Sequence, residues 1–129
     1  MSDAVLDSSA VLAVILEEPG AERVEPLLPG AKVSAVNLGE VTAKLRDLGM
    51  PETTVEKVLD GLQIDVRVHD RDAAVASGFL RPATRGAGLS LGDRACLALA
   101  AALGLPAVTA DRSWQGVAAA IGVRVSPIR

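Results

Sequence analysis

The sequence predicts a single α/β domain spanning residues 1–129, with a parallel sheet covered by helices on both faces. Three observations carry that prediction. Short apolar runs alternate along the chain with longer segments of helical period. Gly and Pro punctuation falls between them, at Pro19-Gly20, Pro29-Gly30, Gly49–Pro51, Gly86–Gly88 and Gly104–Pro106, with no repeat, low-complexity tract or long linker. Half of the residues are hydrophobic, yet Phe79 and Trp114 are the only aromatic ones. Ala, Val, Leu and Ile must therefore fill the core in tightly packed layers.

The elements follow in order. Ala4–Leu6 is a short strand ending in Asp7, and Ser8 or Ser9 can cap a helix running to about Glu18. Lys32–Val36 reads as a strand. Leu38, Val41, Leu45 and Leu48 then share one helical face, and Val55, Val58, Leu59 and Leu62 repeat at i, i+3, i+4 and i+7 in a second helix. Ile64, Val66 and Val68 alternate with polar neighbours, which suits a strand with one less-buried face. Arg71–Leu80 reads as a helix, and a loop with Gly86 and Gly88 follows it. Leu91–Leu103 is apolar nearly all round, as a helix between packed layers would be. Ala107–Thr109 and Val123–Val125 are the last strands, with Trp114–Ile121 helical between them. Strands separated by helices point to parallel pairing.

Charge and cysteine content remove several function classes. Sixteen acids against thirteen Lys and Arg give a net charge of −3, which argues against gripping nucleic acid through a broad basic surface. Cys96 stands alone, so neither a disulfide framework within the chain nor a Cys-based zinc site is available, and a reducing cytoplasm fits. The longest apolar stretch, Ala95–Val108, holds Gly104 and Pro106 and falls short of the roughly 18–20 residues of a membrane span. Asp3 stands where a signal peptide would carry basic residues.

Ligands of such sheets collect at the carboxyl ends of the strands, near a switch in strand order. Asp7 directly follows the first strand, and Glu40 lies just inside the helix after the second. Asp93 and Asp111 can be placed by length. The helix from Asp93 to Leu103 descends about 16 Å. The chain from Pro106 to Asp111 climbs back roughly 17–20 Å. Both acids should then share one rim, beside Asp7 if the first and fourth strands are neighbours. Four carboxylates on one rim repel and raise one another's pKa unless a cation intervenes. Oxygen ligands without Cys or a nearby His suit Mg²⁺ or Mn²⁺.

Each acid also has a purely structural reading. Asn37-x-x-Glu40 and Ser90-x-x-Asp93 resemble capping boxes, Glu40 could pair with Lys44, and Asp111 could cap the helix that follows it. Taken singly, each acid is better explained that way. Taken together on one rim, they favour a cation site.

Several segments now fall into a familiar order: Val5-Leu6-Asp7-Ser8-Ser9-Ala10, Glu17-Glu18-Pro19-Gly20, Asn37-x-x-Glu40, Leu91-x-Asp93 and Thr109-Ala110-Asp111-Arg112-x-Trp114. In order and spacing they resemble the PIN-domain ribonucleases, most of all the VapC toxins of bacterial toxin–antitoxin pairs, from Val5 to about Val125. The resemblance implies a five-stranded parallel sheet in the order 3-2-1-4-5 and a Mg²⁺-dependent endoribonuclease, with Mn²⁺ able to substitute. The family's acids map onto Asp7, Glu40, Asp93 and Asp111, and its small hydroxyl residues onto Ser9 and Thr109. One or two ions held by Asp7, Asp93 and Asp111 would activate a water, with Glu40 binding metal or deprotonating that water. Ser9 and Thr109 would orient the carboxylates. Arg81, Arg85, Arg94 and Arg112 are candidate RNA contacts, although each reads equally well as a solvated arginine.

A toxin of this kind implies a VapB-like antitoxin. Its basic, amphipathic segment would pack near Leu12, Val41 and Leu45 and place an Arg or Lys among the acids. The apolar Leu91–Leu103 helix and the resemblance both lean towards a homodimer. Cys96 falls on a face with Leu99, Ala100 and Leu103 and reads as a small buried hydrophobe, His69 as structural or exposed, and Trp114 and Phe79 as packing residues. A phosphate-accepting receiver domain would need a lysine after the fifth strand, but the last lysine is Lys57. A phosphatase with an Asp nucleophile would want Asp-x-Asp where Asp7-Ser8-Ser9 stands, and no Gly-rich phosphate loop is present. The remaining alternative is an inactive PIN-like interaction module whose acids are helix caps.

Overall fold

The computed structural model describes residues 3–129. Five parallel strands form one sheet: β1 (Val5–Leu6), β2 (Lys32–Ser34), β3 (Asp65–Arg67), β4 (Ala107–Thr109) and β5 (Val125–Pro127). Their order is β3-β2-β1-β4-β5, with Val5 opposite both Lys32 and Ala107. The chain leaves β1 towards β2 and later returns to β1's other side as β4. The switch in strand order therefore lies between β1 and β4, where ligand sites of open α/β sheets form.

Strand alternation explains the two-sided burial. Leu6 packs with Ala10, Val11, Val24, Val41 and Leu45 on one face, beneath α1 (Ser8–Ile15), α2 (Ala21–Val24) and α3 (Ala35–Asp47). Its neighbour Val5 packs with Cys96, Leu97 and Trp114 on the other, beneath α7 (Leu91–Leu103). Val108 and Ala107 divide between the faces in the same way. The remaining helices are α4 (Glu52–Gly61), α5 (Arg71–Phe79), α6 (Arg81–Thr84) and α8 (Gln115–Ile121). Among the described residues no helix is long and apolar enough to cross a membrane.

Helix α7 and strand β4 lie where the sequence puts them; other elements differ for local reasons. The first helix stops at Ile15, and Glu17 takes a left-handed conformation that begins the turn into α2, a helix the sequence pattern does not reveal. Strand β2 ends at Ser34 because the Ser34 hydroxyl accepts from the Val36 N–H at 3.2 Å and starts α3. The segment expected as loop after residue 80 contains α6, with Pro82 in its first turn. Trp114 closes a 3₁₀ turn instead of opening α8. The last strand is Val125–Pro127, not Val123–Val125: Val123 is buried before the strand begins, and Ala107 pairs with Val125.

Trp114 is fully buried in the second core layer, but Phe79 is 79% exposed and is no packing residue. Cys96 is buried as expected. The inner residues of α7, Ala95–Ala98 and Ala100, are covered by the chain itself, and the exposed large apolar residues among those described are Leu48, Val66, Val68, Val75, Phe79 and Leu91, of which only Leu91 lies on α7.

Candidate active site

Asp7 sits at the carboxyl end of β1, where its N–H donates to the Val108 carbonyl at 2.9 Å and so continues the pairing with β4. The residue occupies the N-cap position of α1, yet its side chain makes no capping bond. It turns towards β4 instead. The Ser9 hydroxyl donates to Oδ2 at 2.7 Å and the Thr109 hydroxyl donates to the same oxygen at 3.0 Å. Both hydroxyl oxygens in turn accept backbone N–H groups, Ser9 from Ala110 at 2.9 Å and Thr109 from Asp111 at 3.0 Å. This orients the donors and ties the β1 end to the β4 end.

The other oxygen of Asp7, Oδ1, is buried without any hydrogen-bond partner. Burial is the main cause that pushes the Asp7 pKa up, from an ordinary 3.8 to about 6; the charges of Asp93 and Glu40 push the same way, while the two hydroxyls pull it down. The buried Cys96 thiol is pushed up by burial and by Asp7, Asp93 and Glu40. Those three acids thus form one electrostatic group above the start of α7. Asp111 is not among the charges that shift either residue.

The other acids have partners of their own. Asp93 is a true capping-box acid: the Ser90 N–H donates to its Oδ2 at 2.8 Å, and the Ser90 hydroxyl accepts from the Asp93 N–H at 3.2 Å. Asp111 is exposed and accepts the Ser113 N–H at 2.9 Å through Oδ1, which caps the 3₁₀ turn. Glu40 is not part of a capping box, because Ser34 caps α3 and Asn37 already lies inside the helix. The ion pairs of the described residues do not include Glu40 with Lys44. Glu40 Oε1 accepts instead from Asn37 Nδ2 at 2.8 Å.

Two residues have a place at the site that the sequence does not assign them, Asn37, which it offers only as a capping residue and a motif position, and Gly92. Asn37 is fully buried, and its Nδ2 also donates to the Gly92 carbonyl at 3.0 Å. Gly92 reads from sequence as a harmless helix-start glycine; in the structure a Cβ there would collide with the Glu40 carboxylate. The only signal for either was an amide three residues before one acid and a glycine directly before another. Of the arginines, Arg81, Arg85 and Arg112 are exposed, and Arg112 Nε donates to the Arg129 carbonyl at 2.7 Å. Arg94 Nη1 donates to the Ser77 carbonyl at 3.2 Å, which holds it against α5.

Among the described residues no three His, Cys, Asp or Glu side chains stand close enough to enclose a metal ion as they are. Asp93 and Asp111 are each engaged with a backbone N–H of their own turn. The donor set nevertheless fits a hard divalent cation: it is all oxygen, and the buried, unpartnered Asp7 Oδ1 lacks the positive charge that would offset its burial.

Fold and site together define a doubly covered parallel α/β domain with an acidic rim at its switch point. This chain belongs to the PIN-domain family, whose defining pattern matches residues 4–120. The DNA-bound VapBC of Salmonella typhimurium contains a chain with the same fold at 20% identity, TM-score 0.76 and full coverage of both chains. A toxin–antitoxin complex from Klebsiella pneumoniae is similar at 19% identity, TM-score 0.75 and 98% coverage of each chain. FitAcB from Neisseria gonorrhoeae is similar at 19% identity, TM-score 0.66 and 97% coverage of each chain. No curated protein sequence matches the chain.

Proposed function

We propose that the whole chain, residues 1–129, acts as one PIN domain: a Mg²⁺-dependent endoribonuclease and the toxin of a toxin–antitoxin pair. The observation that carries this reading is the Asp7 carboxylate, buried beside two other acids with one oxygen unpartnered. A structural acid in that position would be satisfied by donors. Asp7, Asp93, Glu40 and Asp111 would hold Mg²⁺ or Mn²⁺, which when bound supplies an activated water and offsets charge on the scissile phosphate. Ser9 and Thr109 keep Asp7 Oδ2 fixed and leave Oδ1 free to bind. Glu40, held by Asn37, accepts a proton from the attacking water. Arg81, Arg85, Arg94 and Arg112 supply the positive charge for the RNA backbone, and the cytoplasm is the place of work.

The test is direct. Purified protein should cut RNA only with Mg²⁺ or Mn²⁺ and leave 5′-phosphate and 3′-hydroxyl ends. Products with a 2′,3′-cyclic phosphate would overturn the hydrolytic mechanism. A second reading, an inactive interaction module, is favoured by one observation: the Asp93 and Asp111 carboxylates already cap backbone. Metal titration separates the two, because a cap needs no Mg²⁺.

The similar structures whose names include an antitoxin support a VapB-like partner here. The docking positions expected from sequence need correcting. Val41 and Leu45 are fully buried in the core, so of the three only Leu12 retains exposed surface for a partner segment. Self-association into a homodimer would use the exposed apolar residues Val75, Phe79 and Leu91 instead of the covered inner face of α7.

A further inference from the structure

Asn37 and Gly92 come from elements 55 residues apart and meet at one carboxylate. Asn37 lies in the first turn of α3, a helix that Ser34 already caps, so its amide is not needed there to satisfy the helix start. Burying the amide carries a cost, because its Oδ1 has no hydrogen-bond partner, and both bonds made by its Nδ2 go to the acidic rim, to Glu40 Oε1 and to the Gly92 carbonyl. Gly92 lies in the first turn of α7, where glycine is a poorer helix former than alanine. What requires it is space: both Glu40 oxygens and its Cδ occupy the volume of a Cβ at that position. The Glu40 carboxylate therefore lies flat on the backbone at Gly92, directly before Asp93.

We infer that Asn37 and Gly92 are positioning residues, a clamp that seats the Glu40 carboxylate on the first turn of α7 at a set distance from Asp93 and Asp7. The inference rests on the nuclease reading above and deepens it. Glu40 is otherwise an exposed side chain on a helix that carries none of the other acids. Mutual repulsion would swing it outward. One amide donor and one missing Cβ oppose that. Because the atoms in Gly92's way belong to the end of a flexible side chain, a methyl group there displaces Glu40 and leaves the backbone where it is.

The test compares Gly92→Ala and Asn37→Ala in the parent and in a Glu40→Ala background, with three readouts: Mn²⁺ affinity, kcat and KM on RNA, and the Asn37 side-chain amide resonances by NMR. Each substitution should lower Mn²⁺ affinity and kcat about tenfold with KM little changed, and the loss should vanish once Glu40 is absent. The Asn37 amide resonances should shift in Gly92→Ala and in Glu40→Ala, without metal or RNA. If Asn37→Ala fails to fold, Gly92→Ala carries the comparison alone. Losses of equal size with and without Glu40 would overturn the clamp, as would amide resonances indifferent to Glu40. A parent protein that neither binds Mn²⁺ nor cuts RNA, with resonances that still respond, overturns the nuclease reading and leaves the clamp as a link between α3 and α7.

Discussion

Asp7 and Asp111 follow adjacent strands of the same sheet, and their carboxylates meet opposite surroundings. Asp7 is 3% exposed, with two hydroxyl donors on one oxygen and none on the other. Asp111 is exposed, and its carboxylate accepts a backbone N–H two residues ahead. The contribution of β4 to the buried network is Thr109, whose hydroxyl donates to Asp7 and accepts from the Asp111 N–H. One strand end carries an electrostatic deficit; the other carries a satisfied turn. The difference teaches that similar sequence signals, an acid within two residues of a strand end, need not mean equal energetic roles.

The largest effect should come from Asp7→Asn. Removing the buried charge should reduce RNA cleavage at least about 100-fold, beyond what loss of an outer support costs a metal site. The same change should raise the melting temperature of the metal-free protein near neutral pH. A pKa of about 6 against an ordinary 3.8 corresponds to on the order of 3 kcal/mol of destabilisation when the group is ionised. A variant that loses activity and also loses stability would mean that Asp7 serves the fold, and the contrast with Asp111 would collapse.

The pH dependence gives a second handle. The folded state holds the Asp7 proton more tightly than the unfolded state, so protonation favours folding. The penalty is full above about pH 6, where both states are ionised, and fades as pH falls through the interval towards 4. Thermal melts of parent and Asp7→Asn should therefore differ most above pH 6 and converge near pH 4. Saturating Mg²⁺ should lift the parent selectively through binding to the folded state. Equal curves at all pH values would show that the buried carboxylate is compensated in solution.

Next in size is Thr109→Val, which keeps shape and removes a donor to Asp7 and an acceptor for the Asp111 N–H. Metal affinity should fall about tenfold, and the Asp7 pKa should rise further because a bond that favours the ionised form is gone. NMR titration of the Asp7 carboxylate reads this directly. An unchanged titration would mean Ser9 alone holds the carboxylate.

Much of the fold was legible in the sequence, and the rest was hidden for physical reasons. Apolar runs and helical periods place α7 and β4 correctly, because a long helix and a fully buried strand carry strong patterns. Helices α2 and α6 have four residues each, about one turn, and show no period to read. The displacement of β5 arises because Val123 and Val125 are equally apolar, and pairing with Ala107 selects the later one. The order of the acids pointed to the rim, but their energetic differences depend on partners distant in sequence: Thr109 lies 102 residues from Asp7. The exposure of Phe79 depends on what α5 leaves uncovered, which no local pattern states.

The smallest effect on stability belongs to Asp111→Asn. The amide oxygen of Asn can accept the Ser113 N–H as the carboxylate does, so the cap survives and stability should change by no more than about 0.5 kcal/mol. Asp111→Ala removes the acceptor and should cost about 1 kcal/mol, the usual loss for an N-cap. The difference between the two variants isolates the cap from the charge. If Asp111→Asn leaves Mn²⁺ affinity close to the parent value while Asp7→Asn abolishes it, Asp111 stays on its turn when metal binds and drops out of the ligand set proposed above. If Asp111→Asn instead weakens Mn²⁺ binding as severely as Asp7→Asn, the carboxylate must leave Ser113 and swing inward on loading. The two strand ends would then differ only in the metal-free protein, and the satisfied turn at β4 would be a resting position for a fourth ligand.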